Sequence, residues 1–192
     1  MTPRIADEAA AAQLAAQLDD VATADVAVVL LRCAADADDS LVRAAAAALH
    51  PVARSRDIAL LLDGRADLLA VAGADGVHLM QAADYARARR HVVDGIVGVG
   101  CASRDDAISV AEAGADYVLF GDVDDAEPTA ATLALVEWWS ALMTVPCIGA
   151  GGAARDHAAI ARAGADFVAV GDREWSHPGG LRAYLQDIAG AV

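Results

Sequence analysis

The sequence contains no lysine, and its fourteen positively charged side chains are all arginines. A mechanism that needs a lysine Schiff base, or a lysine ammonium on a phosphate, is therefore excluded. This removes a large class of aldolase chemistry. Cysteines are also scarce: Cys33, Cys101 and Cys147 are odd in number and far apart, without the close pairs of zinc sites and redox motifs. We expect buried, free thiols in a reducing compartment.

Long hydrophobic runs are absent as well. No apolar run approaches the ~18 residues that a membrane span requires, and Asp7 and Glu8 stand where a secretory signal would be basic. We therefore expect a soluble, cytoplasmic protein. The formal net charge of −14 repels phosphate backbones and anionic lipid, so neither nucleic acid nor a membrane surface is expected as a partner.

The chain has 192 residues, of which 57% are hydrophobic. This is ample for one packed core and short for two, so we predict a single domain over residues 1–192.

One sequence unit recurs three times, as AGADGVHLM at 72–80, AGADYVLFG at 113–121 and AGADFVAVG at 163–171. Each copy follows an Ala-rich helical stretch, contains a glycine suited to a helix cap and ends in a short apolar run. The same pattern predicts strands at 26–32, 58–63, 76–79, 95–99, 117–121, 146–149 and 167–171. It predicts helices at 6–20, 39–49, 65–71, 83–92, 104–112, 130–143, 155–162 and 178–188. Continuous apolar runs are typical of parallel strands covered by helices on both faces.

These units predict an α/β fold of the (β/α)8 TIM barrel type. Its first strand should precede the helix at 6–20, where MTPRI is a poor strand. Typical barrels run to ~250 residues, with ~200 as the lower limit. The barrel is therefore minimal, with a missing or truncated first strand. A start site placed too late is one hypothesis, which a mass or transcript showing residues upstream of Met1 would test.

Three aspartates, Asp75, Asp116 and Asp166, recur with the unit. Each lies in the turn before a strand, at the face of a barrel associated with stability and not with catalysis. We expect their side chains to cap backbone N–H groups of that turn.

Chemistry is expected beyond the carboxyl ends of the strands. Asp63 and Asp84 are candidate magnesium ligands, because hard cations prefer carboxylates; salt bridges to Arg65 and Arg87 are the alternative. His78 is a candidate for substrate binding, or else a satisfied core histidine. Further polar residues at strand ends are Arg32, Gln81 and the acid run Asp122, Asp124, Asp125 and Glu127.

Glycines follow the last two predicted strands, at Gly151, Gly152 and Gly171. In barrels these loops form the usual phosphate site, because backbone N–H groups at the start of a helix favour an anion. We predict phosphate binding here, in one electropositive pocket of an anionic molecule. The alternative is that the glycines only permit tight turns.

Five segments, in this order, resemble thiamine phosphate synthase and its relative, the thiazole tautomerase: LLLDGRADLLAVAGADGVHLMQ, GIVGVGCAS, AGADYVLFGDV, VPCIGAGGA and AGADFVAVG. The likeness runs over residues 26–172. It implies a (β/α)8 barrel that joins a pyrimidine pyrophosphate to a thiazole phosphate, with magnesium on the pyrophosphate. It also implies roles for the strand-two arginine, the metal aspartate, the strand-four glutamine and the thiazole-phosphate glycines, which match Arg32, Asp63, Gln81, Gly151 and Gly152.

Several positions depart from the family pattern. The most extensive departure is the loop DVDDAEPT at 122–129, where the family brings threonine and lysine to the pyrophosphate. Asp122 also occupies the place of the histidine that moves the proton in the tautomerase. A family lysine, an asparagine, the second metal acid and two serines are replaced by Ala34, Leu62, Ala83, Gly100 and Asp172.

Three hypotheses follow. The first is an enzyme of thiamine phosphate synthesis, with Arg32 in a catalytic role. The second is a proton-transfer enzyme on a thiazole phosphate, with Asp122 as the base. The third is a paralogue that has lost the reaction and binds a phosphorylated metabolite or a partner protein. A homo-oligomer is compatible with all three, and we expect at least one of Trp138 and Trp139 to lie in the core.

Overall fold

Short runs of buried Val, Leu and Ile form seven parallel strands in one sheet of sequential order. The computed structural model describes residues 1–21, 26–125 and 128–189. The strands are β1 (Val28–Leu31), β2 (Ala59–Asp63), β3 (Gly76–Leu79), β4 (Ile96–Gly100), β5 (Tyr117–Phe120), β6 (Cys147–Ala150) and β7 (Phe167–Ala169). Each neighbouring pair is parallel. This is a TIM-barrel-like α/β fold, as the sequence predicts.

Helices connect the strands, and polar residues fix where several of them begin. Asp7, Asp38, Ser103 and Thr129 accept N–H groups of the first turns of the helices that begin at Glu8, Asp39, Arg104 and Ala130, which satisfies donors that have no partner within a helix. The helices are α1 (Glu8–Asp20), α2 (Asp39–Ser55), α3 (Leu69–Ala72), α4 (Tyr85–Arg89), α5 (Arg104–Glu112), α6 (Ala130–Leu142), α7 (Ala154–Arg162), α8 (Asp172–Trp175) and α9 (Gly180–Ala189). Single 3₁₀ turns at Ala66–Leu68 and Ala82–Asp84 lead into α3 and α4.

The helix predicted at 39–49 is longer than expected, because α2 continues through Pro51 to Ser55. Proline removes one backbone donor from a helix and normally ends it. Here Leu49 and Ala53, on either side of the proline, are both buried, and α2 packs against α1 and β2. The buried apolar face outweighs the lost hydrogen bond.

Residues 1–5 lie beside β1, where the first barrel strand was expected. Thr2 and Ile5 donate backbone N–H groups to Leu30 and Arg32 carbonyls, each at 2.9 Å. The Met1 nitrogen also donates to the carbonyl of Val170, the residue after β7, at 2.6 Å. The segment forms only an isolated parallel bridge, between Ile5 and Cys33, and not a strand of the sheet. Pro3 lies within it and lacks the N–H that a ladder needs.

The three repeated aspartates cap backbone N–H groups, which confirms the capping role. The capped group, however, belongs to the neighbouring strand and not to the turn itself, so that part of the prediction was wrong. Asp75, Asp116 and Asp166 each accept at 2.8 Å from the N–H of Leu60, Val97 and Cys147 respectively. Each aspartate N–H also donates to the carbonyl of that same residue. These hydrogen bonds connect the amino ends of the strands in the pairs β2–β3, β4–β5 and β6–β7.

The core contains most of the residues expected there. Cys101 and Cys147 are buried and Cys33 is half-buried, and all three are free thiols. Trp139 is 1% exposed and donates its ring N–H to the Val145 carbonyl at 2.7 Å, which confirms the expectation for one tryptophan. In the described ranges no helix has the length and apolar character to cross a membrane.

Candidate active site

A partly open cavity of about 340 Å³ lies at the carboxyl ends of the strands. Residues that sequence analysis singled out line it, among them Arg32, Asp63, His78 and Asp122. Asp124 and Asp125 of the acid run also line it, as does Arg4, so two arginines and several carboxylates share one space.

Arg32 directly follows β1 and is 4% exposed. Its Nη2 atom lies 3.1 Å from a carboxylate oxygen of Asp124, and its Nη1 atom lies 3.6 Å from one of Asp172. The backbone N–H of Arg32 donates to the Thr2 hydroxyl at 2.9 Å, which fixes the end of the strand. Nη1 has no hydrogen-bond acceptor among the described residues. The side chain is therefore a buried cation with donor capacity to spare.

Asp63 ends β2 and is half-buried. Burial raises the pKa of its carboxyl group, and the charges of Arg32 and Arg4 oppose that rise. Desolvation penalises the ionised form, whereas nearby cations favour it. Asp63 is therefore electrostatically coupled to Arg32 across the cavity.

His78 lies in the middle of the sheet and is fully buried. Its Nδ1 atom is 3.0 Å from the Tyr117 hydroxyl, while its Nε2 atom has no partner among the described residues. Burial lowers its pKa to about 4, so the ring is neutral at pH 7. A satisfied core histidine would have both nitrogens paired; this one has a single partner.

The structure does not bring Asp84 to the cavity that Asp63 lines. Asp84 pairs with Arg87 at 2.6 Å and borders a second depression, together with His91. Gln81 is exposed at the start of the 3₁₀ turn. Over residues 1–21, 26–125 and 128–189, no three or more His, Cys, Asp or Glu side chains are grouped to hold a metal ion. Asp63 and Asp84 border different cavities, so one magnesium site formed by both does not fit this structure, and no step below uses a metal.

The predicted phosphate-binding glycines lie next to the loop that begins at Asp122, which we call the acid loop. Gly151 and Gly152 have φ angles of 106° and 88°, in the left-handed region that favours glycine. The Gly152 N–H donates to the Asp125 carbonyl at 3.1 Å, and the Gly171 N–H donates to the buried Glu174 carboxylate at 2.7 Å. These two amides are thus satisfied within the chain. Phosphate binding through them stays a prediction, and at Gly152 it requires the Asp125 carbonyl to move.

The acid loop folds as a turn against the glycine loop. Asp122 is exposed, and its Oδ1 atom accepts the Asp124 N–H at 2.9 Å. Arg173 donates from Nη2 to the carbonyls of Asp125 at 2.6 Å and Gly152 at 3.2 Å. Asp122 therefore has a structural task, and its role as a base stays a prediction. Glu127 lies outside the described residues.

Sequence reasoning missed one pairing and two residues near the cavity. The pairing of Arg32 with Asp124 crosses 92 positions of sequence, and no local pattern indicates it. Arg173, which follows the last strand, was assigned no role. Tyr117 was interpreted only as part of a buried strand, and its contact with His78 across β4 depends on strand register.

The parallel sheet with a cavity at the carboxyl ends defines the TIM-barrel-like class of α/β proteins. Within that class, the thiamine monophosphate synthase family matches residues 2–173. The chain belongs to this family, which supports a role in thiamine biosynthesis.

Individual relatives agree with this assignment. The thiamine-phosphate synthase of Rhodospirillum centenum is 42% identical over 194 residues, which cover 97% of this chain and 92% of that protein. That of Erythrobacter litoralis is 37% identical over 120 residues, and this match spans 57% of the chain but only 55% of the relative. Among solved structures, the thiamine phosphate pyrophosphorylase of Pyrococcus furiosus superposes with a TM-score of 0.78 at 21% identity, over 99% of this chain and 94% of that one. The structural likeness shows the fold.

Proposed function

We propose that this protein is a thiamine-phosphate synthase that couples hydroxymethylpyrimidine pyrophosphate to a thiazole phosphate in the cavity at the carboxyl ends of the strands. The observation that carries the proposal is the buried Arg32 guanidinium beside Asp63 and His78 in that cavity. The 42% identity to the synthase of Rhodospirillum centenum, over nearly the full length of both chains, supports it.

The reaction breaks the bond between the pyrimidine methylene carbon and pyrophosphate, and forms a bond from that carbon to the thiazole nitrogen. Negative charge grows on the departing pyrophosphate. A fixed cation at the point where charge develops is the main catalytic resource for such a step. The backbone of Arg32 is held in place by its contact to Thr2, and its Nη1 hydrogens, which have no hydrogen-bond acceptor among the described residues, suit a phosphate oxygen. Its catalytic task is to stabilise that leaving group.

Asp124 and Asp172 oppose this task in the free protein, because both pair with Arg32. Both are about half exposed, so each ion pair is weak and easily exchanged for a doubly charged phosphate. Substrate binding therefore includes displacement of Asp124 from Arg32. The phosphate of the thiazole substrate is assigned to the loops that contain Gly151, Gly152 and Gly171.

Purified protein incubated with both half-substrates and Mg²⁺ tests the proposal. We expect thiamine phosphate to form, and its formation to be lost in Asp63→Ala, because Asp63 lines the cavity and is electrostatically coupled to Arg32. Asp94→Ala is the matched control, because Asp94 is exposed at the amino end of β4, away from the cavity. No product at any Mg²⁺ concentration contradicts the proposal.

A second candidate is proton transfer on a thiazole phosphate, favoured by the position of Asp122 in the cavity wall. Isomerisation of the thiazole phosphate alone, lost in Asp122→Ala, would identify it. Binding of either half-substrate without turnover would instead identify a paralogue that binds a phosphorylated metabolite. Subunit association and a cytoplasmic location stay predictions.

A further inference from the structure

Four residues lie side by side on adjacent strands beneath the mouth of the cavity. The sheet register pairs Asp63 with His78, His78 with Gly98, and Gly98 with Tyr117. They form one layer of the barrel interior, across β2, β3, β4 and β5. Nothing in the reaction described above uses Tyr117.

Gly98 is the reason that Tyr117 reaches His78 across an intervening strand. A Cβ atom at position 98 would lie 1.8 Å from the Cζ atom of Tyr117, so any other residue would displace the ring. With glycine there, the two rings stack at 5.7 Å with an interplanar angle of 6°. The Tyr117 hydroxyl then lies 3.0 Å from Nδ1 of His78.

Both rings are neutral. Burial lowers the pKa of His78 to about 4. Burial, and then the charges of Asp63 and Asp116, raise the pKa of Tyr117. The pair therefore consists of a phenol and a neutral imidazole, and one hydrogen lies between them.

Two arrangements of that hydrogen are chemically possible. If Nδ1 donates to tyrosine, the hydroxyl hydrogen has no acceptor among the described residues, and Nε2 is an unpaired acceptor. If tyrosine donates to Nδ1, its hydroxyl is satisfied and only an Nε2–H remains unpaired. Each buried group without a partner is costly, so the second arrangement is the more stable one.

We infer that Tyr117 is a positioning residue: it donates to Nδ1 of His78 and so holds His78 as the Nε2–H tautomer, a neutral donor for a ring nitrogen of the pyrimidine substrate, since the thiazole nitrogen must keep its lone pair for the new bond. This deepens the proposed function and depends on it for the identity of the ligand. His78 lines the cavity, and a neutral donor suits an uncharged ring nitrogen, whereas the phosphate groups are matched to Arg32. The buried Nε2, which no described residue satisfies, is the group that the ligand would complete.

The first measurement is made on the free, full-length protein. Two-bond ¹H–¹⁵N correlation of protein labelled in histidine distinguishes the two neutral tautomers and the imidazolium, and His78→Gln identifies the His78 signals among the five histidines. We expect a single Nε2–H tautomer at pH 7. In Tyr117→Phe we expect a mixture of tautomers. An Nδ1–H tautomer or a charged ring in the wild type would overturn the inference.

Tyr85→Phe is the matched control. Tyr85 is also buried, but its hydroxyl donates to the Ala113 carbonyl at 3.0 Å and not to a histidine. Its loss should leave the His78 signals unchanged. A change as large as that in Tyr117→Phe would show that any lost buried hydroxyl perturbs His78, and would overturn the specific role of Tyr117.

The second measurement adds hydroxymethylpyrimidine pyrophosphate or thiazole phosphate separately. We expect the pyrimidine compound to shift the Nε2 resonance of His78, and its affinity to fall in Tyr117→Phe in proportion to the lost fraction of the Nε2–H tautomer, about 2-fold for an equal mixture. Turnover with an unmoved Nε2 resonance would overturn this inference and leave the synthase standing. Binding that moves the resonance without turnover would overturn the synthase and leave this inference standing.

Discussion

Asp124→Asn tests whether the acid loop competes with substrate for Arg32. The carboxylate lies 3.1 Å from the Arg32 guanidinium and is 53% exposed, whereas Arg32 is 5% exposed. Because one partner is well solvated, the pair is worth about 0.5–1 kcal/mol, near the upper end for exposed ion pairs. An incoming phosphate must break it. Removing the charge should therefore tighten the binding of inorganic pyrophosphate about 2- to 5-fold.

Isothermal titration calorimetry at fixed ionic strength measures this change. Asp125→Asn is the control, because Asp125 lines the same cavity and carries the same charge, while its contacts to Gly152 and Arg173 are made by its backbone carbonyl. We expect a smaller gain in Asp125→Asn. Equal gains in both variants would mean that general repulsion dominates. Weaker pyrophosphate binding in Asp124→Asn would refute the displacement of Asp124 from Arg32.

Three further predictions concern stability, each measured by urea unfolding. Asp116→Ala removes the 2.8 Å acceptor of the Val97 N–H and should cost about 1 kcal/mol; an unchanged midpoint would contradict the capping role, and exposed Asp105→Ala is the control. Gly152→Ala should cost about 1–3 kcal/mol, because φ is 88° and the new Cβ would lie 2.5 Å from the Asp156 Cβ. The third prediction concerns pH: burial lowers the pKa of His78 in the native protein to about 4, from its usual value of 6.5. Between these pH values the unfolded state binds more protons than the native state. The free energy of unfolding should therefore fall as the pH drops from 6.5 to 4, by at most about 1.4 kcal/mol per pH unit. His78→Gln should lose that part of the pH dependence; an identical slope in both proteins would refute the buried, neutral histidine.

The elements that repeat in the sequence were predictable, because they depend on local rules. The three AGAD segments predicted the helix-to-strand junctions. The capping role of their aspartates was expected because each aspartate precedes a strand. Even so, the prediction that the capped N–H groups belong to the turn was wrong. Those groups lie on the neighbouring strand, and strand pairing is a property of the folded sheet.

The site was predicted less well, since its geometry depends on contacts distant in sequence. Arg32, Asp63, His78 and Asp122 line one cavity because parallel strands end at the same edge. Asp84 lies only five residues after β3, yet it ends a 3₁₀ turn and pairs with Arg87 instead of facing the cavity. The counterion of Arg32 comes from a loop 92 positions away. Composition and periodicity carry no information about such a pairing.

The central claim is that Arg32 stabilises the departing pyrophosphate in this cavity. Steady-state formation of thiamine phosphate from the two half-substrates by wild-type protein and Arg32→Gln tests it most directly. Arg56→Gln is the control, because Arg56 pairs with Asp19 on the helical layer. We predict product formation by the wild type, a fall in kcat of about 10²- to 10³-fold in Arg32→Gln with the fold intact, and little change in the control. A wild type that forms no product, or an Arg32→Gln variant with unaltered kcat, would contradict the account.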